Sequence, residues 1–240
     1  MSDYDIFAPY YDAVMGKRPD VTRLVRRHIK HHLPEATSIL ELGCGTGTIL
    51  RGLAPHFQTV AGIDQSAQML QVARHKLPGA AFYQGTIAEF HLGRTFDVAI
   101  CIFDTINHLT DFSDWRSMFS STREHLNTGG LFIFDMNTTS RLAAVAASPG
   151  YVQSFNRRNT FHLRASMVGA NTIEWQVLLE IPGRTGAIQV REEYVREASF
   201  PFMHVQQALT DAGFKILDLF DPERHSPSDA SSRLYFVCQN

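Results

Sequence analysis

Gly43, Gly45 and Gly47 stand at alternate positions in "SILELGCGTGTIL", Ser38 to Leu50, at the end of an apolar run. Where a strand passes through glycines into a helix, bare backbone N–H groups can receive a nucleotide-type ligand. Glu41 lies two residues before them, and Asp64 closes the next apolar run, "TVAGID" (59–64). The dinucleotide fingerprint GxGxxG would need a glycine where Thr48 stands. Glu41 would also repel a pyrophosphate, yet it suits a ligand that carries an ammonium and a sulfonium. Asp64 is placed to accept both hydroxyls of a ribose, and an acid there disfavours a 2′-phosphate. A nicotinamide-dependent oxidoreductase is the weaker reading.

The elements around these residues are those of an α/β sheet. Asp20 to Leu33 has helical spacing, with Val21, Leu24, Val25, His28 and Ile29 on one side and Pro34 beyond it. Strands are expected over "SILELG", "TVAGID", "AAFYQG" (80–85), "FDVAICIF" (96–103) and "LFIFDMN" (131–137). Between them, helices are expected to open from the glycines, from a Ser66 cap and from a Ser113 cap, the last ending at Gly129-Gly130. Strands apolar on both faces and separated by helices imply a parallel sheet with its ligand at the carboxyl ends of the strands.

After Pro149 the pattern alternates instead, with Ile173, Trp175, Val177, Leu179 and Ile181 on one face. Turn signals at 169–171 and 183–186 make this an antiparallel meander. A helix over Met203–Ala212 and two strands, "FKILDLF" and "RLYFVCQ", complete the main sheet. The expected division is 1–148, 149–200 and 201–240, the middle part covering an acceptor site.

With 240 residues, 44% hydrophobic and 19% charged, the composition is that of an ordinary globular enzyme. The formal net charge of −2 gives no push toward nucleic acid or anionic membranes. The start reads as no secretory leader, and no apolar stretch approaches the roughly 18 residues of a membrane span. Cys44, Cys101 and Cys238 form no CxxC pair, so a metal site is not expected. They read as small apolar residues in a reducing cytoplasm.

Four segments in order, "LELGCGTG", "GIDQSAQML", "FDVAICIF" and "LNTGGLFIFD", resemble motifs of the class I S-adenosylmethionine-dependent methyltransferases, over roughly Ser38 to Asn137. The resemblance implies a Rossmann-like, doubly wound, seven-stranded and mostly parallel sheet, with S-adenosylmethionine as cofactor. It implies that Gly43, Gly45 and Gly47 pass the methionine part beside Glu41. Asp64 would hold the ribose, Gln65 beside it would belong to the cofactor site, and Met69 would lie against the adenine. Thr86 stands where the superfamily often has an acid, so Thr86 and Ile87 would bind adenine through backbone groups and the hydroxyl.

"CIFDTINHL", "FAPYYDAVM" and the late insertion together resemble the small-molecule branch that includes nucleotide-sugar N,N-dimethyltransferases. That likeness implies that Tyr11 and Phe7 close over the methionine end and that Phe103 borders the transferred methyl. His108 is the side-chain base candidate and Tyr11 the second catalytic candidate. The alternatives are a His108 that packs or caps the following helix and a Tyr10–Tyr11 lid without chemistry. Asp104 and Asp135 end strands as well, Asp135 reading as a structural acid.

The implied partner is a small-molecule acceptor, an amine or a hydroxyl. A tRNA or peptide methyltransferase and a non-catalytic cofactor-binding protein stay as alternatives. Nucleic acid is disfavoured, because "KRPDVTRLVRRHIKHH" reads as a solvated helix face and no NPPY-like segment follows strand four. Arg157, Arg158, Arg164, Arg184 and Arg191 are either anion contacts to the acceptor or ordinary strand-surface charges. The meander's alternative role is an interface in a homodimer.

Overall fold

Short apolar runs bounded by polar turns become strands β1 (Ser38–Leu42), β2 (Thr59–Asp64), β3 (Ala81–Gln84), β4 (Phe96–Cys101) and β5 (Leu126–Asn137). The computed structural model describes residues 5–156, 158–183, 187–224 and 226–240. Later in the chain come β6 (Tyr151–Phe155), β7 (Asn159–Met167), β8 (Thr172–Pro182) and β9 (Ile188–Ala198), then β10 (Lys215–Phe220) and β11 (Arg233–Gln239). The seven-stranded sheet has the order β3-β2-β1-β4-β5-β11-β10. β11 pairs antiparallel with both β5 and β10, while β1 to β5 pair in parallel. The expected doubly wound, mostly parallel α/β fold is the one observed.

Both faces of the sheet are apolar and covered, which is why its strands lack a polar side. On one face Leu40, Ala99, Cys101, Phe132 and Phe134 pack under α5 (Phe112–Glu124) and α7 (Phe202–Asp211). On the other face Ile39, Val98, Ile100, Leu131 and Ile133 meet Val21, Val25 and Ile29 of α2 (Pro19–His32) and Ile49 and Leu50 of α3 (Thr48–Leu53). Each such fully buried aliphatic side chain contributes about 1.5–3 kcal/mol. The basic residues of α2 point away from that contact, as a solvated face requires. All three cysteines are buried and free. No described helix is long and apolar enough to cross a membrane.

Ser66 caps α4 (Ala67–Lys76) as expected, accepting from the Met69 N–H at 3.1 Å. Ser113 does not cap α5; that helix starts at Phe112 after Asp111. Nor does Gly129-Gly130 end it. His125 terminates it, its Nδ1 bonded to the Ser121 carbonyl at 2.7 Å while Nε2 accepts from the Leu92 N–H at 2.8 Å. The glycines fall inside β5 instead, where the pairing with β4 shifts register. α6 (Thr139–Ala146) and β6 are additions that the alternation alone did not show.

The meander is a separate four-stranded antiparallel sheet in the order β6-β7-β8-β9. Its 169–171 turn is present, whereas the 183–186 turn falls largely outside the described residues. Its inner face divides its contacts. Phe161, Val177 and Leu179 pack on Phe7 and the residues of α1 (Tyr11–Met15), and Ile173 and Ala165 pack on Leu142 of α6.

Candidate active site

The three glycines do three different things. At Gly43 (φ +64°) an added Cβ would collide with the Thr105 methyl group. At Gly47 (φ +73°), the residue before α3, a Cβ would press on Ala73 of α4 at 3.3 Å. Only Gly45 (φ +51°) has open space over its Cβ direction, and it lines the main cavity with Gly43. Packing therefore demands a bare backbone at Gly43 and Gly47, while Gly43 and Gly45 both face the cavity.

That cavity holds about 360 Å³ and lies at the carboxyl ends of the central strands, under the meander. It brings together Tyr11, Gly43, Gly45, Asp64, Gln65, Met69, Thr86, Ile87, Phe103 and His108. Gly47 does not line it, and Glu41 lines a smaller cavity beneath the glycine loop. Glu41 accepts from the Leu50 N–H at 3.2 Å, and burial lifts its carboxyl to about 8. Asp64 accepts from the N–H groups of Gly45 and Ser66, both at 2.8 Å, which fixes its carboxylate at the cavity wall. Burial raises its pKa, against those two donors.

The N-terminal segment ties both halves of the molecule together over this cavity. Asp12 accepts from Thr46 at 2.7 Å and from Thr48 at 2.9 Å, and pairs with Lys76. Asp5 accepts from Ser66 at 2.7 Å, while the Ile6 N–H donates to Glu193 of β9 at 2.7 Å. Phe7 stacks on Phe161 of β7 with centroids 5.2 Å apart and meets Tyr11 edge-on at 5.5 Å. Burial, reinforced by Asp104, pushes the Tyr11 phenol well above its ordinary range. Tyr11 thus stays a hydroxyl donor and is no base at neutral pH.

The other end of the cavity is acidic. After β4 the backbone enters the left-handed region at Phe103 (φ +73°) and Asp104 (φ +53°), a conformation that costs of order 1–3 kcal/mol per residue. Asp135, fully buried, holds it there by accepting from the Phe103 N–H at 2.6 Å and the Asp104 N–H at 3.1 Å. It is a structural acid, as read from the sequence. Arg233 of β11 joins the two carboxylates, at 2.7 Å from Asp135 and 2.9 Å from Asp104. Asn137 donates to Asp104 at 2.5 Å. Two carboxylates share the Arg233 guanidinium here, and a second guanidinium, that of Arg18, lies over the Phe103 ring 4.6 Å from its centroid.

Glu197 is buried on β9 and accepts from the Trp175 indole at 2.7 Å. Burial, and after it the Asp104 charge, raises its carboxyl to about 7. His108 stands in the same wall, its Nδ1 3.3 Å from the Arg196 carbonyl. A carbonyl only accepts, so that contact puts the ring proton on Nδ1 and the lone pair of the neutral ring on Nε2.

Sequence reasoning passed over Glu197, Asn137 and Arg233. The signal for Glu197 was present: a charge on the inward face of an alternating strand, beside Val195. Arg158, Arg164 and Arg191 are exposed and do not line the cavity, and Arg157 and Arg184 lie outside the described residues. The arginines that do line it are Arg233 and, at the exposed rim, Arg141.

Residues 39–130 match the family model described as a methyltransferase domain. A dTDP-3-amino-3,6-dideoxy-alpha-D-glucopyranose N,N-dimethyltransferase from Streptomyces fradiae is 33% identical over 203 residues, covering 82% of this chain and 76% of the relative. The chain belongs to the S-adenosylmethionine-dependent methyltransferases. A solved S-adenosylmethionine-dependent methyltransferase from Clostridium acetobutylicum has the same fold, with a TM-score of 0.85 at 20% identity over 99% of both chains. DesVI from Streptomyces venezuelae gives 0.82 at 22% identity, over 99% of this chain and 98% of that one. The donor of this methyltransferase is therefore S-adenosylmethionine. A carboxylate at the end of β2, an open glycine face and a cavity of this size fit that ligand.

Proposed function

We propose that this methyltransferase alkylates the amine of a small molecule, and that the acceptor is a nucleotide-linked amino sugar or a close relative of one. The observation that carries the reading is the acidic end of the cavity, where Asp104 and Glu197 stand beside His108. An amine reaches a protein at neutral pH as an ammonium ion, which carboxylates attract and a hydroxyl acceptor would not need. It must then lose its proton before it can attack, and Glu197, poised at about 7, is matched to take it. The Streptomyces fradiae relative, named for an amino-sugar substrate, supports the same choice.

The cofactor supplies an already activated methyl group; the chain's own task is alignment and dehydration, worth several kcal/mol in reactions of this type. Asp64 and Gln65 hold the ribose, Met69, Thr86 and Ile87 border the adenine, and Gly43 and Gly45 pass the methionine part. Gly47 supports that turn from outside the cavity. Phe7, Tyr11 and Phe103 wall off water, and His108 orients the acceptor nitrogen. The meander over residues 149–200 is a cover for the acceptor, continuous with the core through the N-terminal segment. Arg141 at the rim suits a phosphate of the acceptor. Three buried, free cysteines suit a cytoplasmic protein.

Calorimetry with S-adenosylhomocysteine present tests the reading. A nucleotide-linked amino sugar is expected to bind more tightly than the same compound with a hydroxyl in place of the amine. Equal binding, or preference for the hydroxyl, overturns the amine assignment.

A further inference from the structure

One side-chain cluster lies outside the methyl-transfer site. His28 and His32 are one helical turn apart on α2 and face Asp218 of the edge strand β10. His28 Nδ1 is 3.2 Å and His32 Nε2 is 2.7 Å from the same carboxylate oxygen, Oδ2 of Asp218. The potential ligand atoms of all three residues lie within 4.8 Å of one another. Each residue is half-buried, in the contact between the helix and the sheet edge.

We propose that His28, His32 and Asp218 form a binding site for a divalent transition-metal ion, of which Zn2+ is the best fit. Ligands about 2.0–2.1 Å from a tetrahedral zinc stand ~3.3 Å apart, so the 3.2 Å contact nearly fits already and the 2.7 Å contact must open by roughly 0.6 Å. Two imidazoles and one carboxylate leave a fourth position for water. The donor set also chooses the ion. Imidazole suits Zn2+, Ni2+ or Cu2+, whereas Ca2+ and Mg2+ need more oxygen ligands than Asp218 supplies.

Two further features make the cluster ready for an ion. His28 stacks on Phe220 with centroids 4.9 Å apart, which holds the ring at the β10 edge. Its Nε2 has no hydrogen-bond partner among the described residues, so Nδ1 can pass from Asp218 to an ion with the ring kept in its stack and no other hydrogen bond lost. An ion here would staple α2 to the outermost strand of the sheet. A metal concentration 100 times the dissociation constant would raise the folded-to-unfolded ratio about 100-fold.

The test uses the full chain stripped with EDTA and titrated with Co2+ as a spectroscopic probe and with Zn2+ by calorimetry. One equivalent is expected, with the intense visible absorption of four-coordinate Co2+ and a higher melting temperature. His32→Asn and Asp218→Asn should each weaken binding about 10-fold or more, on the scale known even for groups behind the ligands. The exposed neighbour His31→Asn should not. Equal affinities in all four proteins would overturn the proposal. Should a variant fail to fold, wild-type crystals soaked in Zn2+ decide: an anomalous peak between His28, His32 and Asp218 supports the site, and peaks only elsewhere refute it.

Discussion

The Trp175 indole donates to Glu197 Oε1 at 2.7 Å across neighbouring strands of the meander, and both residues line the cavity. This bond aims a carboxylate that burial has raised to about 7 toward the acidic corner around Asp104. Glu197→Gln keeps an acceptor for Trp175 and removes the base. Turnover with an amine acceptor should fall roughly 100-fold, the lower end for a lost general base, while cofactor affinity stays unchanged. In the wild type kcat/KM should rise with pH through about 7, as the carboxylate form appears, and this limb should vanish in the variant. The stability effect runs the other way. A carboxyl whose folded pKa is raised stabilises below its unfolded pKa, and that contribution drains away between roughly pH 4 and the folded value. Glu197→Gln should thus be less pH-sensitive in thermal melts over that window.

Asp64 is expected to matter to cofactor binding more than to the acceptor. A buried carboxylate accepting ribose hydroxyls makes charge-assisted bonds of about 1.5–3 kcal/mol each. Asp64→Ala should weaken S-adenosylhomocysteine binding by on the order of tenfold or more, measured by calorimetry. It also leaves the Gly45 and Ser66 N–H groups without their acceptor, so a melting curve must accompany the titration.

Gly43 and Thr105 make a pair whose coupling can be measured. Gly43→Ala meets both a left-handed backbone and the Thr105 methyl, and should cost about 2–4 kcal/mol from the two effects together. Thr105→Ser removes that methyl group. In the double variant the clash is gone and the backbone strain remains, so urea unfolding should show partial recovery, a non-additive result. Full additivity would mean that the two residues do not touch.

Asp97 anchors the other end of the sheet. Partial burial works against its charge, but donors from Thr37, Asn127 and Ser38 outweigh it and hold the carboxyl at about 2. Asp97 accepts from the Thr37 N–H at 2.8 Å and the Ser38 N–H at 3.0 Å. A depressed pKa gives stability above the unfolded value that is lost as pH falls through the folded one. Because the site is largely solvent-exposed, the effect should be on the order of 1 kcal/mol. Asp97→Asn should melt below wild type at pH 7, and the two curves should converge between roughly pH 4 and pH 2.

The sheet was legible because its signals are local. Apolar runs, a Ser66 cap and the glycine turn each depend on residues within a few positions of one another. The cavity wall at Asp64 was legible for the same reason, since Asp64 closes its own strand. The acceptor end was not. Arg233 is 129 positions from Asp104 and Asn137 is 60 from Glu197, and only the closed sheet brings them together. His28 and His32 carried their helical spacing in plain view, but Asp218, which gives the pair a chemical meaning, is 186 positions from His32. The glycine reading was right about close approach and incomplete about its object. Two of the three approach Thr105 and Ala73, parts of the protein itself.

Methyl transfer from S-adenosylmethionine to an amine at the Asp104–Glu197 corner, as proposed above, leaves an isotopic trace. The direct measurement is to incubate the protein with trideuteriomethyl S-adenosylmethionine and a nucleotide-linked amino sugar, then to locate the label by fragment mass spectrometry. The label is expected on nitrogen, and none is expected when the amine is replaced by a hydroxyl. Label on oxygen or carbon, or equal labelling of the hydroxyl compound, would contradict it.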